Sequence, residues 1–267
     1  MYITDFHTHA FSDKIYVHAM ETLTKGFGGT PFHDGSLRGL LASMDEAGIR
    51  RAVMLNIATK PEQADIILRW CHEAAAAGGE RIVPFASVMP QHEHAAAGVR
   101  RIAAEGIQGI KIHPCYQGFV LDAPELDPFY RAVTDTGLIL LAHTGYDIAY
   151  PNRQDCAIPE RTARVLARYP GIRFVSAHFG GWEDWDDVRR HLLGRPVWLE
   201  TSFLASRRDA EYARAMFLDH DPEYLLFGTD SPWVGQKEEL AAIRALDLPG
   251  ELMTKLLETN ARRLLGM

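Results

Sequence analysis

Cysteine is scarce in this chain. Its three, Cys71, Cys115 and Cys156, are scattered and include no CxxC pair. That argues against a disulfide framework and against a thiolate zinc site. No apolar run is long enough to cross a bilayer. The first residues lack the charged segment, apolar stretch and small-residue cleavage site of a signal peptide, so the cytoplasm is the expected location. Basic excess is missing too. Lys and Arg total 28 against 35 Asp and Glu, a net charge of −7, with a pI of about 5.9. Such a balance suggests neither a nucleic-acid nor an anionic-membrane partner. Linkers, charge blocks, low-complexity segments and repeats are also absent, which leaves one domain over residues 1–267.

What the chain does have is apolar material: 47% of its 267 residues are hydrophobic. That suffices for one large core, and an α/β barrel of about 250 residues fits the length. Apolar runs suited to buried strands cover 2–9, 50–58, 82–89, 107–113, 138–144, 172–179, 197–203 and 224–230. Most are near-continuous, as parallel strands covered on both faces require. Between them lie amphipathic helical patterns at 36–48, 61–77, 92–105, 123–136, 158–169, 183–193, 208–220 and 236–246. Gly48, Gly137 and Gly171 stand where helices stop before the next strand. Eight strands alternating with eight helices predict an α/β fold, a single (β/α)8 TIM barrel, with an extra C-terminal helix near 249–265. A doubly wound sheet is the rival, but it does not so naturally bring the first, fifth, sixth and eighth strands to one point. Two connections, 10–35 and 145–157, leave C-terminal strand ends and are unusually long, so they are expected to shape a pocket. Within the first, Gly26, Gly28 and Gly29 read as a flexible turn. Lys-Gly-Phe-Gly-Gly matches a phosphate loop poorly, because it neither follows a strand directly nor opens a clear helix.

Five residues far apart in sequence each end a predicted strand: His7 and His9, His143, His178 and Asp230. If the strands are parallel neighbours, these side chains converge. Imidazoles and a carboxylate meeting there are what a zinc-like cation and a metal-activated water require. Alternation along a strand points His7 and His9 the same way, with Asp5 on that face as a possible orienting acceptor. His7 and His9 alone read equally as partly exposed polar residues, and His143 or His178 alone reads first as a core hydrogen-bonding group; taken together with Asp230 they favour a site. Asp230 alone could cap a helix; beside a metal it can ligate and take a proton from water. His92 and His94 also spell His-x-His, but at a helix start they do not share a face. His72, His191 and His220 fall on or beside predicted helices and read as peripheral, while His18 and His33 lie in the long first loop. In the fourth strand Lys111 and His113 share the inward face. A buried Lys needs an anionic partner: a substrate carboxylate, a carbamate that bridges two metals, or an internal salt bridge to Asp5 or Glu200. His113 and Tyr116, near the mouth, are candidate substrate contacts, and Arg153 is another.

The order Asp5-Phe-His7-Thr-His9, Gly109-Ile-Lys111-Ile-His113-Pro, His143-Thr-Gly, His178-Phe-Gly-Gly and Phe227-Gly-Thr-Asp230-Ser-Pro resembles the amidohydrolase superfamily. It is most like its amidohydrolase family 2, the aminocarboxymuconate-semialdehyde-decarboxylase-like branch. The resemblance covers essentially the whole chain. It implies that His7, His9, His143 and Asp230 bind one divalent metal, usually Zn2+, and that His178 is an acid/base or electrostatic group. In two-metal relatives His143 and His178 would hold the second ion with a bridging residue, for which Lys111 is the obvious candidate and Glu200 a poorer one. The Lys-x-His-Pro strand departs from the best-known decarboxylases. The resemblance therefore implies first a metal-dependent hydrolase of a small-molecule amide, lactone or ester. The alternative is a non-oxidative decarboxylase of a small aromatic or muconate-like acid. A catalytically silent binding barrel and a TatD-like deoxyribonuclease are weaker fits: the ligand set is complete, and a matching acidic residue on the fourth strand is not found. A small-molecule substrate and a possible homodimer complete the expectations.

Overall fold

The computed structural model describes residues 1–152 and 155–267; Arg153 lies outside the described residues. Among the described residues eight short strands form in sequence order: β1 (Thr4–Thr8), β2 (Arg51–Leu55), β3 (Ile82–Phe85), β4 (Gly109–Ile112), β5 (Ile139–Ala142), β6 (Arg173–Ser176), β7 (Trp198–Glu200) and β8 (Leu225–Leu226). All ladders are parallel, in two runs, β1-β2-β3 and β4-β5-β6-β7-β8. Backbone bonds close both seams. Ala86 N–H donates to Gly109 O (3.0 Å) and Lys111 N–H to Ala86 O (2.8 Å) between β3 and β4. Phe6 N–H donates to Phe227 O and Asp230 N–H to His7 O, both 2.7 Å, between β8 and β1. The expected (β/α)8 barrel is the fold.

Strand alternation builds two cores. Val53, Leu55, Phe85, Ile139, Leu141 and Val175 fill the barrel interior. Their neighbours Ala52, Met54, Leu140, Ala142 and Phe174 face the surrounding helices. The extra C-terminal helix is present, and Ala261, Leu264 and Leu265 of it plug the barrel floor with the interior set. Eight expected helices form within a few residues of their predicted bounds; Leu37–Ala47 and Gln236–Ala245 are examples. None of the described helices is long and apolar enough to cross a membrane.

Two expectations change. The strands are shorter than their apolar runs, because the last residues of each run leave the ladder and turn over the mouth. The segment 10–35 is not simply a loop: it holds the helix Tyr16–Phe27. Gly26 lies inside it, and Gly28 ends it in the left-handed region (φ 73°), where glycine has no Cβ penalty. The helix was hidden because its apolar residues serve the mouth rather than the core. Only Met20 is buried, while Leu23 and Phe27 line the central cavity.

Candidate metal centre

The cavity at the C-terminal end of the barrel has a volume of about 160 Å³. Its floor is polar, with His7, His9, Lys111, His113, His143, His178 and Asp230. Its walls are apolar, with Phe27, Ile57, Trp182, Phe203 and Trp233 among them. All seven floor residues are buried, so topology does bring the separated residues together.

Hydrogen-bond partners fix the tautomers. His9 Nδ1 lies 2.9 Å from Leu55 O. A carbonyl only accepts, so Nδ1 carries the proton, and in the neutral ring Nε2 holds a lone pair. That Nε2 is 2.9 Å from Asp230 Oδ1. His7 Nδ1 meets Glu200 Oε2 at 2.5 Å, and its Nε2 is 3.1 Å from the same Asp230 oxygen. With Glu200 ionised, His7 Nδ1 carries the proton, and two imidazole lone pairs then converge on one carboxylate oxygen. Acceptors do not attract one another, and a cation or a proton between them resolves the contact. The donor chemistry, two Nε2 atoms and one carboxylate with outer partners holding each ring, fits a divalent metal.

Beside this group, His143 Nε2 lies 3.1 Å from Tyr146 O, so His143 presents its Nδ1 lone pair inward, 2.9 Å from His178 Nε2. His178 Nδ1 is held by Ser202 Oγ at 2.7 Å. Among the described residues, His7, His9 and Asp230 cluster with ligand atoms within 4.8 Å of one another, as do His7, His178 and Glu200. His143 is in neither group and reaches the centre through His178. His178 and Asp230 both have left-handed backbones (φ 56° and 62°). For residues with a Cβ that costs roughly 1–3 kcal/mol each and is retained where side-chain aim matters.

Burial holds the pKa of His7, His143 and His178 well below the usual imidazole value, with further lowering by neighbouring Lys111 or other histidines. Neutral rings are the metal-binding form. Lys111 is fully buried, with Nζ 3.2 Å from His7 Nε2. Burial pulls it down to about 8, against the attraction of Asp230 and Glu200. Among the described residues no carboxylate is within 4.0 Å of its Nζ, so of the three alternatives the internal salt bridge to Asp5 or Glu200 does not form. Glu200 is instead bonded to His7 and, through Oε1, to Ser202 N–H at 2.5 Å; burial raises its pKa to about 8.

Asp5 does not orient the imidazoles. Its carboxylate accepts from His7 N–H, Thr229 N–H and Oγ1, and Gln236 Nε2, which pins the β8 end to β1. Glu200 and Leu55 O hold the rings instead. His113 turns towards the segment 145–157, with Nε2 3.1 Å from Asp147 Oδ2, while Tyr116 packs edge-on against its ring. His33 bonds Ser231 behind the site. His18 falls on the helix Tyr16–Phe27. His92 and His94 border a surface groove. His220 is buried rather than peripheral, and bonds Val197 O. Sequence reasoning missed Asp147, Ser202 and the carbonyl of Leu55; none sits in a motif whose spacing announces a role.

The amidohydrolase family model (Amidohydro_2) matches residues 4–267, and the chain belongs to that family. Among solved structures it is similar to 5-carboxyvanillate decarboxylase from Sphingomonas paucimobilis, with TM-score 0.76 and 16% identity over 100% of this chain and 99% of that one. It is also similar to the 5-carboxyvanillate decarboxylase of Novosphingobium aromaticivorans complexed with manganese and 4-hydroxy-3-methoxy-5-nitrobenzoic acid (TM-score 0.74, 18% identity, 100% and 96% covered). A third is a probable 2-pyrone-4,6-dicarboxylic acid hydrolase from Acinetobacter baumannii with citric acid bound (TM-score 0.71, 16% identity, 100% of both chains). No curated protein matches. At these identities the likeness speaks for the barrel alone.

Proposed function

We propose that the protein is a metal-dependent hydrolase of a small-molecule amide, lactone or ester, acting at the C-terminal face of the barrel. The observation that carries this reading is the convergence of two imidazole lone pairs on Asp230 Oδ1. His7 and His9 through Nε2 and Asp230 are the residues that would hold one divalent ion, of zinc type, and His143 would join them through Nδ1 on giving up its 2.9 Å contact with His178 Nε2. When bound, the ion supplies Lewis acidity and brings the pKa of water from 15.7 towards about 7. Asp230 receives the proton of the attacking water at its carboxylate. His178, fixed by Ser202, sits where it can hold the carbonyl oxygen of the substrate. Lys111, a buried cation lacking a carboxylate partner, pairs with an anionic group of the substrate, and His113 and Tyr116 border the same space. One ion is favoured over two because Glu200, the poorer candidate bridge, is already engaged by His7 and Ser202, and Lys111, the better one, contacts His7 Nε2 through its Nζ at 3.2 Å.

A second reading is decarboxylation of a small aromatic or muconate-like acid. Two observations favour it: the aromatic wall, where Trp182 stacks on Phe203 at 4.9 Å and 17°, and the buried Lys111 ammonium beside it on the cavity floor.

The test is turnover of a panel of lactones, amides, esters and carboxylic acids by the metal-loaded and chelator-stripped protein, with metal content by mass spectrometry. Hydrolysis that disappears on stripping and returns with zinc supports the hydrolase. Carbon dioxide release without a hydrolysed product supports the decarboxylase. Undiminished hydrolysis by metal-free protein sinks the metal-dependent reading.

A further inference from the structure

Where His113 and Asp147 line the cavity, they belong to a second group of donors, none of which is assigned above as a ligand of the first ion. His113 stands just past β4, Cys115 lies in the short helix Pro114–Gln117, and Asp147 comes from the segment that follows β5. One ligand atom from each, an imidazole nitrogen, a sulfur and a carboxylate oxygen, lies within 4.8 Å of the other two, and all three residues are buried. His113 Nε2 and Asp147 Oδ2 are 3.1 Å apart. In a tetrahedral site with zinc-like bond lengths, neighbouring ligand atoms are about 3.3–3.7 Å apart. The His113–Asp147 spacing is slightly shorter than that value and the spacings to sulfur are at most 4.8 Å, so shifts of about 1 Å or less would close the group around an ion.

We propose that His113, Cys115 and Asp147 form a second cation site, suited to a zinc-type ion, which fastens the segment 145–150 to the end of β4. The donor set identifies the cation class. A thiolate with an imidazole selects a borderline or soft metal such as zinc over magnesium, calcium or manganese, whereas the His7–His9–Asp230 group offers only nitrogen and oxygen. No CxxC pair marks the site in the sequence, because its single sulfur is completed by ligands from two other places in the chain. Binding requires the Cys115 thiol to lose its proton to solvent. It also requires His113 Nε2 to carry a lone pair, with the proton moved to Nδ1. The bond this sacrifices, Tyr116 N–H to His113 Nδ1, is long at 3.5 Å and contributes little.

The mechanical consequence follows from Asp147. Its Oδ1 accepts Ala149 N–H at 2.8 Å, so the carboxylate already sets the turn that carries Ile148 and Ala149 into the cavity lining. Ala149 in turn faces the helix Tyr16–Phe27: a Cβ on Gly26 would lie 3.2 Å from Ala149 Cβ. An ion on Asp147 would therefore hold one side of the cavity roof in place. The proposal does not depend on the hydrolase reading, since it uses none of the residues assigned there as ligands.

Cobalt titration of the metal-stripped chain tests it, because thiolate bound to cobalt gives a near-ultraviolet charge-transfer band that nitrogen and oxygen ligands do not. The expected result is such a band in the parent protein and in His9→Ala, and its loss in Cys115→Ser but not in Cys71→Ser or Cys156→Ser. Asp147→Asn, which preserves shape, should weaken cobalt affinity read from that band by about tenfold or more; this variant carries the test if Cys115→Ser does not fold. Absence of the band at two equivalents of cobalt, its persistence in Cys115→Ser, or unchanged affinity in Asp147→Asn overturns the proposal.

Discussion

Glu200 Oε2 stands 2.5 Å from His7 Nδ1, and both residues are fully buried. The carboxyl group turns the ring so that Nε2 faces Asp230; burial raises its pKa to about 8, a bound cation favours its ionised form, and that charge makes the nitrogen a better donor. Glu200→Gln keeps the shape and removes the charge. The expected outcome is a metal affinity lower by about 10–100-fold with the fold intact, measured by competition with a chromogenic chelator. Parent-like affinity would mean that packing alone aims His7.

A second buried acid lies away from the centre. Glu239, on the helix Gln236–Ala245, has no well-aligned hydrogen bond to either carboxylate oxygen among the described residues, and burial pushes its pKa up to about 7 from 4.5, with looser contacts to Ser206 and the Phe203 backbone and the Arg207 charge opposing the rise and Asp5 adding to it. The folded state thus holds this proton more tightly than the unfolded state. Its contribution to stability is largest below about pH 4.5 and is lost as pH rises to about 7. A rise of that size amounts to about 3 kcal/mol at full ionisation. Glu239→Gln should raise the thermal midpoint at pH 8 by several degrees, at about 2–4 °C per kcal/mol, and leave it nearly unchanged at pH 4. An equal shift at both pH values would refute the ionisation argument.

Lys111 makes the opposite case. Burial depresses its pKa from 10.5 to about 8, so below about pH 8 the folded chain bears a buried ammonium, and the strain eases as pH rises from 8 to 10.5. Lys111→Met fills similar volume without charge. In metal-free protein at pH 7 it should be more stable by about 1–4 kcal/mol, read by urea unfolding. If Lys111 also anchors the substrate, the same variant loses affinity for an anionic substrate through KM more than through kcat. A destabilised Lys111→Met would show that the ammonium is compensated in the folded state.

The barrel and most of its polar floor are legible in the sequence because they obey periodic rules. Apolar runs ending in His143-Thr-Gly or Thr229-Asp230 mark strand ends, and parallel topology does the rest. What escapes the sequence depends on contacts between distant segments. Asp5 shares the strand face of His7, yet its side chain goes to Thr229 and Gln236, a choice made by the β8–β1 seam. Asp147 carries no motif, and only the path of the segment after β5 brings it to His113. The helix Tyr16–Phe27 is hidden because its apolar residues face a cavity instead of a core. His220 looks peripheral until Val197 O is placed beside it.

That path after β5 is set at Gly145. Its N–H donates to Ala157 O at 2.8 Å, and Tyr146 N–H and Trp182 N–H bond across to Trp182 O and Thr144 O. Gly145 has φ +88°, and a Cβ there would lie 2.2 Å from Trp182 N and 2.6 Å from Trp182 O. Both atoms are backbone, so neither can swing aside. Gly145→Ala must therefore part the β5 and β6 connections, at a cost of about 2–4 kcal/mol from the left-handed backbone and the clash together. It should also withdraw Asp147 from His113 and unseat Trp182 from Phe203. The expected readouts are a lower urea midpoint and faster exchange of the amide protons of Gly145, Tyr146 and Trp182. Parent-like stability and exchange would mean that the two connections can separate without loss, and the tight crossing at Gly145 would then not be what positions the cavity wall.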